Sequence, residues 1–199
     1  IAMPRTGSKK RIHRKPRLSF PLNIRLSGSG GQGIISAGML LGEAIAIGDG
    51  KNVAQSQSYG PEARGGATRA DIIVSSEEIF FPECSSLDIL AALTPEAYEK
   101  YAPAVIPEGL ILVEESAIDV LVGSASTVRA PFLEQASKTL RNPLAANMIA
   151  LGFFAAYTEI VTRQSLRNVV AAQFSGTKYK EANLKALEAG FRMGAHAEQ

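Results

Sequence analysis

Cysteine is almost missing: Cys84 is the only one in 199 residues. One thiol cannot close an internal disulfide. It also cannot hold an iron–sulfur cluster or a cysteine-ligated zinc, which take several thiolates from one chain. A reducing, cytoplasmic setting is the simplest fit. Long apolar runs are missing too, since nothing reaches the roughly 18 residues that cross a bilayer. The stretch 145–157 is too short and contains Asn147. The basic N-terminal segment has no apolar stretch before Leu18, so no signal peptide is expected. Histidine is scarce, and neither His13 nor His196 has a partner acid at useful spacing. No nucleophile stands beside a base and no metal-ligand cluster is visible, so the chain offers no catalytic residue and no metal site of its own.

Acid is absent from one region in particular. Residues 1–19 carry Arg5, Lys9, Lys10, Arg11, Arg14, Lys15 and Arg17 with no Asp or Glu, while the remainder holds 14 basic against 19 acidic residues, a net of −5. The basic isoelectric point therefore belongs to the arm, and the domain behind it is mildly acidic. Residues 1–19 read as an extended basic arm, either solvated or packed on an acidic partner subunit. Nucleic acid is disfavoured, because the arm has no interleaved aromatics and the domain no basic stripe. Residues 20–199 are long enough for one good core and short for two. They show no internal repeat and no linker.

What is present alternates strands and helices. Strands are expected at 22–27, 53–57, 68–75, 88–93, 110–113 and 126–130, with a brief edge strand at 79–81 and a turn at 107–109. Helices are expected at 32–47, from Thr94-Pro95 to about 102, and at 131–139, 144–158, 165–174 and 178–193. Thr94 reads as an N-cap with Pro95 in the first helical position. This pattern predicts an α/β fold, a Rossmann-like sheet domain with helices on its faces and a helical C-terminal third.

Two loops carry the chemistry. The first, Gly28-Ser29-Gly30-Gly31-Gln32-Gly33, follows a strand and opens a helix with small residues near its start. In the dinucleotide fingerprint of this form the first glycine makes a tight turn and the second lets backbone N–H groups approach an anion. The third lets helix meet strand. The acid that usually holds a ribose at the end of the second strand is missing. That position reads Gln55-Ser56-Gln57, and Asp49 comes too early, in a turn. A plain nicotinamide site is therefore disfavoured. The second loop, Ser58-Tyr59-Gly60-Pro61-Glu62-Ala63-Arg64-Gly65-Gly66, joins a fixed turn to a guanidinium able to clamp a phosphate or carboxylate. Both loops also have bland readings, the glycines as tight packing and Arg64 as the partner of Glu62. Glu114-Glu115 ends a strand where open sheets place ligands, or is simply solvated. Asn147, on an apolar helix, is either hydrogen-bonded inside or an interface contact. Cys84 reads as buried or half-buried.

The two loops in this order, followed by Asn147-Met148-Ile149-Ala150-Leu151-Gly152, resemble the gamma subunit, or gamma domain, of the 2-oxoacid:ferredoxin oxidoreductases over about residues 22–193. The family pattern is G-x-G-G-Q-G, then Y-G-x-E-x-R-G-G, then N-x-x-x-L-G. The resemblance implies a multi-subunit enzyme that oxidatively decarboxylates a 2-oxo acid to acyl-CoA. Thiamine diphosphate, magnesium and 4Fe–4S clusters would sit in alpha and beta partners, with a ferredoxin-like delta subunit as a further candidate partner. The gamma chain binds no cofactor alone but contributes to coenzyme A binding and to assembly, with no nucleic acid and no membrane. The residues implied to touch the coenzyme are Gly28, Ser29, Gly30, Gly31, Gln32, Gly33, Tyr59 and Arg64. Two alternatives stay open: a purely structural subunit of the same complex, and an independent nucleotide-binding oxidoreductase. Which 2-oxo acid is used and which acceptor takes the electrons are not written in this chain.

Overall fold

The computed structural model describes residues 19–58, 67–117 and 124–197. Strand β1 (Leu22–Ser29) leads through the first loop into helix α1 (Ile34–Glu43), whose last turn widens into a π-turn over Ala44–Gly48. Next come β2 (Asn52–Ser58), β3 (Ala67–Ser75), β4 (Leu87–Ala92), α2 (Pro95–Tyr101), β5 (Val105–Glu114), β6 (Ser126–Ala130) and the short α3 (Phe132–Glu134). The chain closes with α4 (Ala146–Thr158), α5 (Arg163–Gln173) and α6 (Lys180–His196). No helix among the described residues is long and apolar enough to cross a membrane.

The strands form one six-stranded sheet in the order β2-β3-β1-β4-β5-β6. β1, β4, β5 and β6 run parallel, whereas β3 runs antiparallel to both β1 and β2. Side chains alternate across the sheet. Leu22, Ile24 and Leu26 of β1 enter the larger core with α1, α4, α5 and α6. The opposite face carries a smaller core in which Leu90 and Ile111 meet Tyr98 and Tyr101 of α2. The α/β class with helices on both faces and a helical C-terminal third is as expected. α4 is apolar on almost every side, and accordingly it is buried on almost every side. Gly38 of α1 meets β3 so closely that a Cβ there would stand 2.4 Å from that of Ala70.

Two local expectations fail. Residues 79–81 form no strand; Phe80 and Phe81 stand exposed on the β3–β4 connection. That connection folds over the sheet face instead of pairing with an edge, and the Cys84 carbonyl accepts from Arg25 Nη2 at 3.4 Å. The turn at 107–109 lies within β5, whose pairing jumps from Leu87–Val105 to Ile89–Leu110 and takes up the extra residues as a bulge.

Arg25 and Asp71 face each other in register across β1 and β3, and both are buried. Arg25 Nε and Nη2 donate to the two Asp71 carboxylate oxygens at 2.6 and 2.8 Å. The guanidinium lies 4.6 Å from the centre of the Tyr101 ring. Burial opposes the charge on Arg25, but the hydrogen bond and charge of Asp71 outweigh it and raise its pKa. Removing one partner leaves the other charge buried and unpaired, at a cost of about 3–5 kcal/mol. Asp71→Ala should therefore be destabilised by that order in urea unfolding. Arg25→Met combined with Asp71→Leu should recover most of the loss. A double variant no more stable than the single would sink this interpretation.

Asp49 ties the end of α1 to the start of α5. Its carboxylate accepts from Thr162 N at 2.8 Å, Thr162 Oγ1 at 3.0 Å and Ser165 Oγ at 2.7 Å. Burial pushes its pKa up, yet the bonds from Ser165 and Thr162 outweigh that and leave it below the ordinary carboxylate range. A carboxyl depressed in the folded state contributes stability above its unfolded pKa and loses it as pH falls through the folded value. Asp49→Asn should melt lower than the native chain near neutral pH, and the gap should close on acidification below about pH 4. Melts showing a gap independent of pH would contradict this.

Candidate anion site at the sheet switch point

The first loop is built from its own residues. β1 ends at Ser29, Gly31 takes φ 84° and Gly33 takes φ 71°. Both angles lie in the left-handed region that glycine enters without steric cost. Ser29 N donates to Gln32 Oε1 at 2.8 Å, and Gln32 N donates to Ser29 O at 3.2 Å. The Gln32 carboxamide thus folds back into the loop and occupies the place a Gly28 side chain would need, its oxygen 2.4 Å from the position of that Cβ. Only Gln32 Nε2, which has no partner among the described residues, is left to face a ligand.

Gly33 caps α1 with its backbone alone. Its carbonyl accepts from Ala37 N at 2.9 Å, the first bond of the helix. No side chain among the described residues caps this end, so its first-turn N–H groups have no partner among those residues, and the positive end of the helix dipole faces the loop. Backbone donors beside a helix N-terminus suit a phosphate or carboxylate.

Sheet topology places this loop. The chain leaves β1 toward β3 and β2 on one side, and leaves β4 toward β5 on the other. The ends of β1 and β4 therefore flank the switch point, where open α/β sheets bind ligands. Across the crevice stand Leu93, whose N–H donates to Ser27 O at 2.9 Å, and Thr94, which caps α2 by accepting from Ala97 N at 3.3 Å. The second loop departs from and returns to the same end, because Ser58 pairs with Arg69 and Ala67 pairs with Ser29. Tyr59 and Arg64 belong to 59–66, outside the described residues.

The absent ribose acid now has a structural reason beyond composition. The strand beside β1 is the antiparallel β3, so the end of β2 lies two strand spacings away, about 10 Å. Gln55 itself turns onto α1, where its Nε2 donates to Gly38 O at 2.9 Å. A cleft of about 240 Å3 runs along this flank, lined by Ile35, Met39, Gln55 and Gln57 among others.

Glu114 is not a solvated strand end. It is 2% exposed, and its carboxylate accepts from Leu133 N at 2.9 Å and from Ser116 Oγ at 3.0 Å, bracing β5 against the start of α3. Its neighbour Glu115 is exposed. Cys84 is half-buried, and burial pushes its thiol up to about 11, which leaves it protonated and unreactive. Asn147 is half-buried and hydrogen-bonded, its Nδ2 donating to Gly33 O at 3.4 Å. Sequence reasoning had singled out both segments without joining them, and the join spans 114 positions.

Comparison with known proteins bears on this loop and its neighbours together. The model of the pyruvate ferredoxin/flavodoxin oxidoreductase family matches residues 23–193. The chain belongs to that family, as a gamma subunit or gamma domain. A 2-oxoglutarate synthase subunit KorC from Archaeoglobus fulgidus is 46% identical over 173 residues, covering 87% of this chain and 88% of that subunit. The crystal structure of the gamma subunit of a keto/oxoacid ferredoxin oxidoreductase from Geobacter sulfurreducens superposes with a TM-score of 0.77 at 36% identity, over 87% of this chain and 98% of that one. A 2-oxoglutarate:ferredoxin oxidoreductase from Magnetococcus marinus, solved with 2-oxoglutarate, coenzyme A and succinyl-CoA bound, matches with a TM-score of 0.75 at 25% identity. There the match covers 87% of this chain but 31% of the other, so the gamma fold also occurs as one part of a longer polypeptide.

Within the gamma chain, Gly31 and Gly33 make separable demands. A Cβ on Gly31 meets open space, whereas one on Gly33 would stand 2.3 Å from Asn147 Nδ2. Gly31→Ala should cost only the left-handed strain, about 1–2 kcal/mol. Gly33→Ala should cost that plus the displacement of Asn147, about 2–4 kcal/mol in all. Equal losses in urea unfolding would show that Asn147 does not press on Gly33.

Proposed function

We propose that this gamma chain holds the phosphates of coenzyme A beside the active site of a thiamine-diphosphate, iron–sulfur 2-oxoacid:ferredoxin oxidoreductase, and that its 2-oxo acid is 2-oxoglutarate. The observation that carries the reading is the N-terminus of α1, uncapped by any described side chain, behind the first glycine loop at the β1–β4 switch point, with both ends of the Arg64-bearing loop beside it. Backbone donors on one side and a guanidinium on the other suit a multiply charged phosphate ligand. Coenzyme A is among the ligands bound in the Magnetococcus marinus oxidoreductase, with 2-oxoglutarate and succinyl-CoA, and is the one that carries phosphates without a free carboxylate; the Archaeoglobus fulgidus relative is a 2-oxoglutarate synthase subunit.

Thiamine diphosphate with magnesium and the 4Fe–4S clusters, held by alpha and beta partners or a ferredoxin-like delta subunit, supply decarboxylation and electron transfer. The chain described here binds and orients the coenzyme that takes the acyl group, and is inactive alone. A single cysteine and cluster-bearing partners suit the cytoplasm. The independent nucleotide-binding reading loses ground because β3 occupies the place beside β1 where a ribose-binding strand would lie.

Arg64→Ala in the assembled complex tests the reading. Loss of a charge-assisted contact of about 1.5–3 kcal/mol should raise the KM for coenzyme A roughly ten- to a hundredfold, in 2-oxoglutarate-dependent reduction of a viologen dye. The KM for 2-oxoglutarate should not move. An unchanged coenzyme KM together with poorer retention of the subunit on purification would favour the purely structural role.

A further inference from the structure

We propose that Asn147 is a positioning residue that aims the first-turn N–H groups of α1 at the coenzyme, an inference that rests on the coenzyme reading above. Its carboxamide is committed at both ends. Oδ1 accepts from Met148 N at 2.7 Å, satisfying a first-turn donor of α4. That leaves Nδ2 to donate to Gly33 O at 3.4 Å. The alternative flip would set a carboxamide oxygen against the Gly33 carbonyl and Nδ2 against the Met148 N–H, two repulsive contacts in place of two bonds.

The surroundings strengthen that assignment. Asn147 lines a slot of about 20 Å3 between the ends of β1 and β4 and the first turns of α1 and α4. Every other residue lining it is apolar, Leu26, Ile34, Leu93 and Phe154 among them. The slot has room for no more than a single water. Asn147 is half-buried there, and the polar partner its Nδ2 reaches across the slot is the Gly33 carbonyl.

The consequence for the site follows from peptide geometry. The peptide joining Gly33 to Ile34 is planar and trans, so its C=O and N–H point in opposite directions. Gly33 O is drawn inward by Ala37 N at 2.9 Å and by Asn147 Nδ2. The Ile34 N–H on the other side of that plane therefore points out of the helix, toward the mouth of the glycine loop. Gly33 has no side chain of its own to hold this peptide, which is fixed by the helix bond from Ala37 N at 2.9 Å. Asn147 adds a second restraint on the same carbonyl from α4.

Asn147→Asp separates positioning from folding. It keeps an oxygen for the Met148 N–H and adds an acid to the first turn of α4, which is favourable there. It replaces the donor facing Gly33 with a carboxylate oxygen, which repels the Gly33 carbonyl. Asn147→Ala removes the same donor without adding charge. Both variants are assayed in the assembled complex beside Arg64→Ala. Asn147→Asp is expected to raise the KM for coenzyme A about tenfold and Asn147→Ala about three- to fivefold. The KM for 2-oxoglutarate should stay near native in both variants. If both Asn147 variants keep the native coenzyme KM while Arg64→Ala raises it, the positioning role is overturned and the coenzyme site stands. If Asn147→Asp alone raises it, the effect is through-space charge and the positioning role is again overturned. If Arg64→Ala also leaves it unchanged, the coenzyme reading falls and takes this inference with it. A matching rise in the KM for 2-oxoglutarate with a lower melting temperature would make Asn147 merely structural.

Discussion

Everything at the candidate site depends on β3 running backwards beside β1, and the Arg25–Asp71 pair is the interaction that sets that arrangement. The two residues are direct register partners and share a two-point hydrogen bond inside the sheet. A slip of one residue would turn one strand's charge to the opposite face and strand the two charges in separate cores. A bidentate ion pair is a poor source of net stability when buried, since desolvation offsets most of the attraction. Its value here is in specifying one pairing among several. Apolar strands such as Ile72-Ile73-Val74 can pair in more than one register, and an ion pair that cannot be left unmade removes the alternatives.

From that register the site follows by connection. With β3 reversed, the β2–β3 hairpin turns at the same sheet end as the first loop, and Ala67 is paired with Ser29. Parallel connections carry β4 and β5 the other way, which opens the crevice between β1 and β4. α1 then leaves the first loop across β3, held close by Gly38 against Ala70. α4 arrives from the far end of the chain to put Asn147 beneath the same helix terminus. Segments distant in sequence thus converge on one cluster of backbone donors.

Much of this was legible in the sequence, and the failures share a cause. The Gly28-to-Gly33 loop, the Thr94-Pro95 start of α2 and the six strands rest on local chemistry: left-handed glycines, a capping hydroxyl, β-branched runs. What could not be read was direction and partnership. A strand pattern carries no sign, so β3 looked the same parallel or antiparallel. Glu114 looked like a solvated strand end because its partner, Leu133 N, comes 19 residues later at the start of another helix. The bond from Ser29 N to the Gln32 side-chain oxygen inside the loop was likewise not legible, because it depends on how the loop folds back on itself. Residues 79–81 had the composition of an edge strand but lie where the chain must cross over Arg25 to start β4. The third motif of the family resemblance was recognisable, but nothing in its spacing said that Asn147 meets Gly33.

The same geometry explains why a glycine loop of this form need not make a freestanding dinucleotide enzyme. In the doubly wound dinucleotide fold the ligand is held twice, by its pyrophosphate at the glycine loop and by its ribose at the end of the adjacent parallel strand. Here the adjacent strand begins rather than ends at that edge, and the glutamine on the next strand is turned onto α1. A ligand anchored at the loop is thus gripped by its anionic part and left free along the rest of its length. For an enzyme that keeps its nucleotide in place through turnover this is a weak arrangement. For an acyl carrier it is a useful one, because the phosphates can be fixed on one subunit while the thiol, at the far end of a long flexible arm, reaches chemistry on another. On the coenzyme reading, the reversal of one strand is what turns a nucleotide fold into an anchor for a swinging carrier.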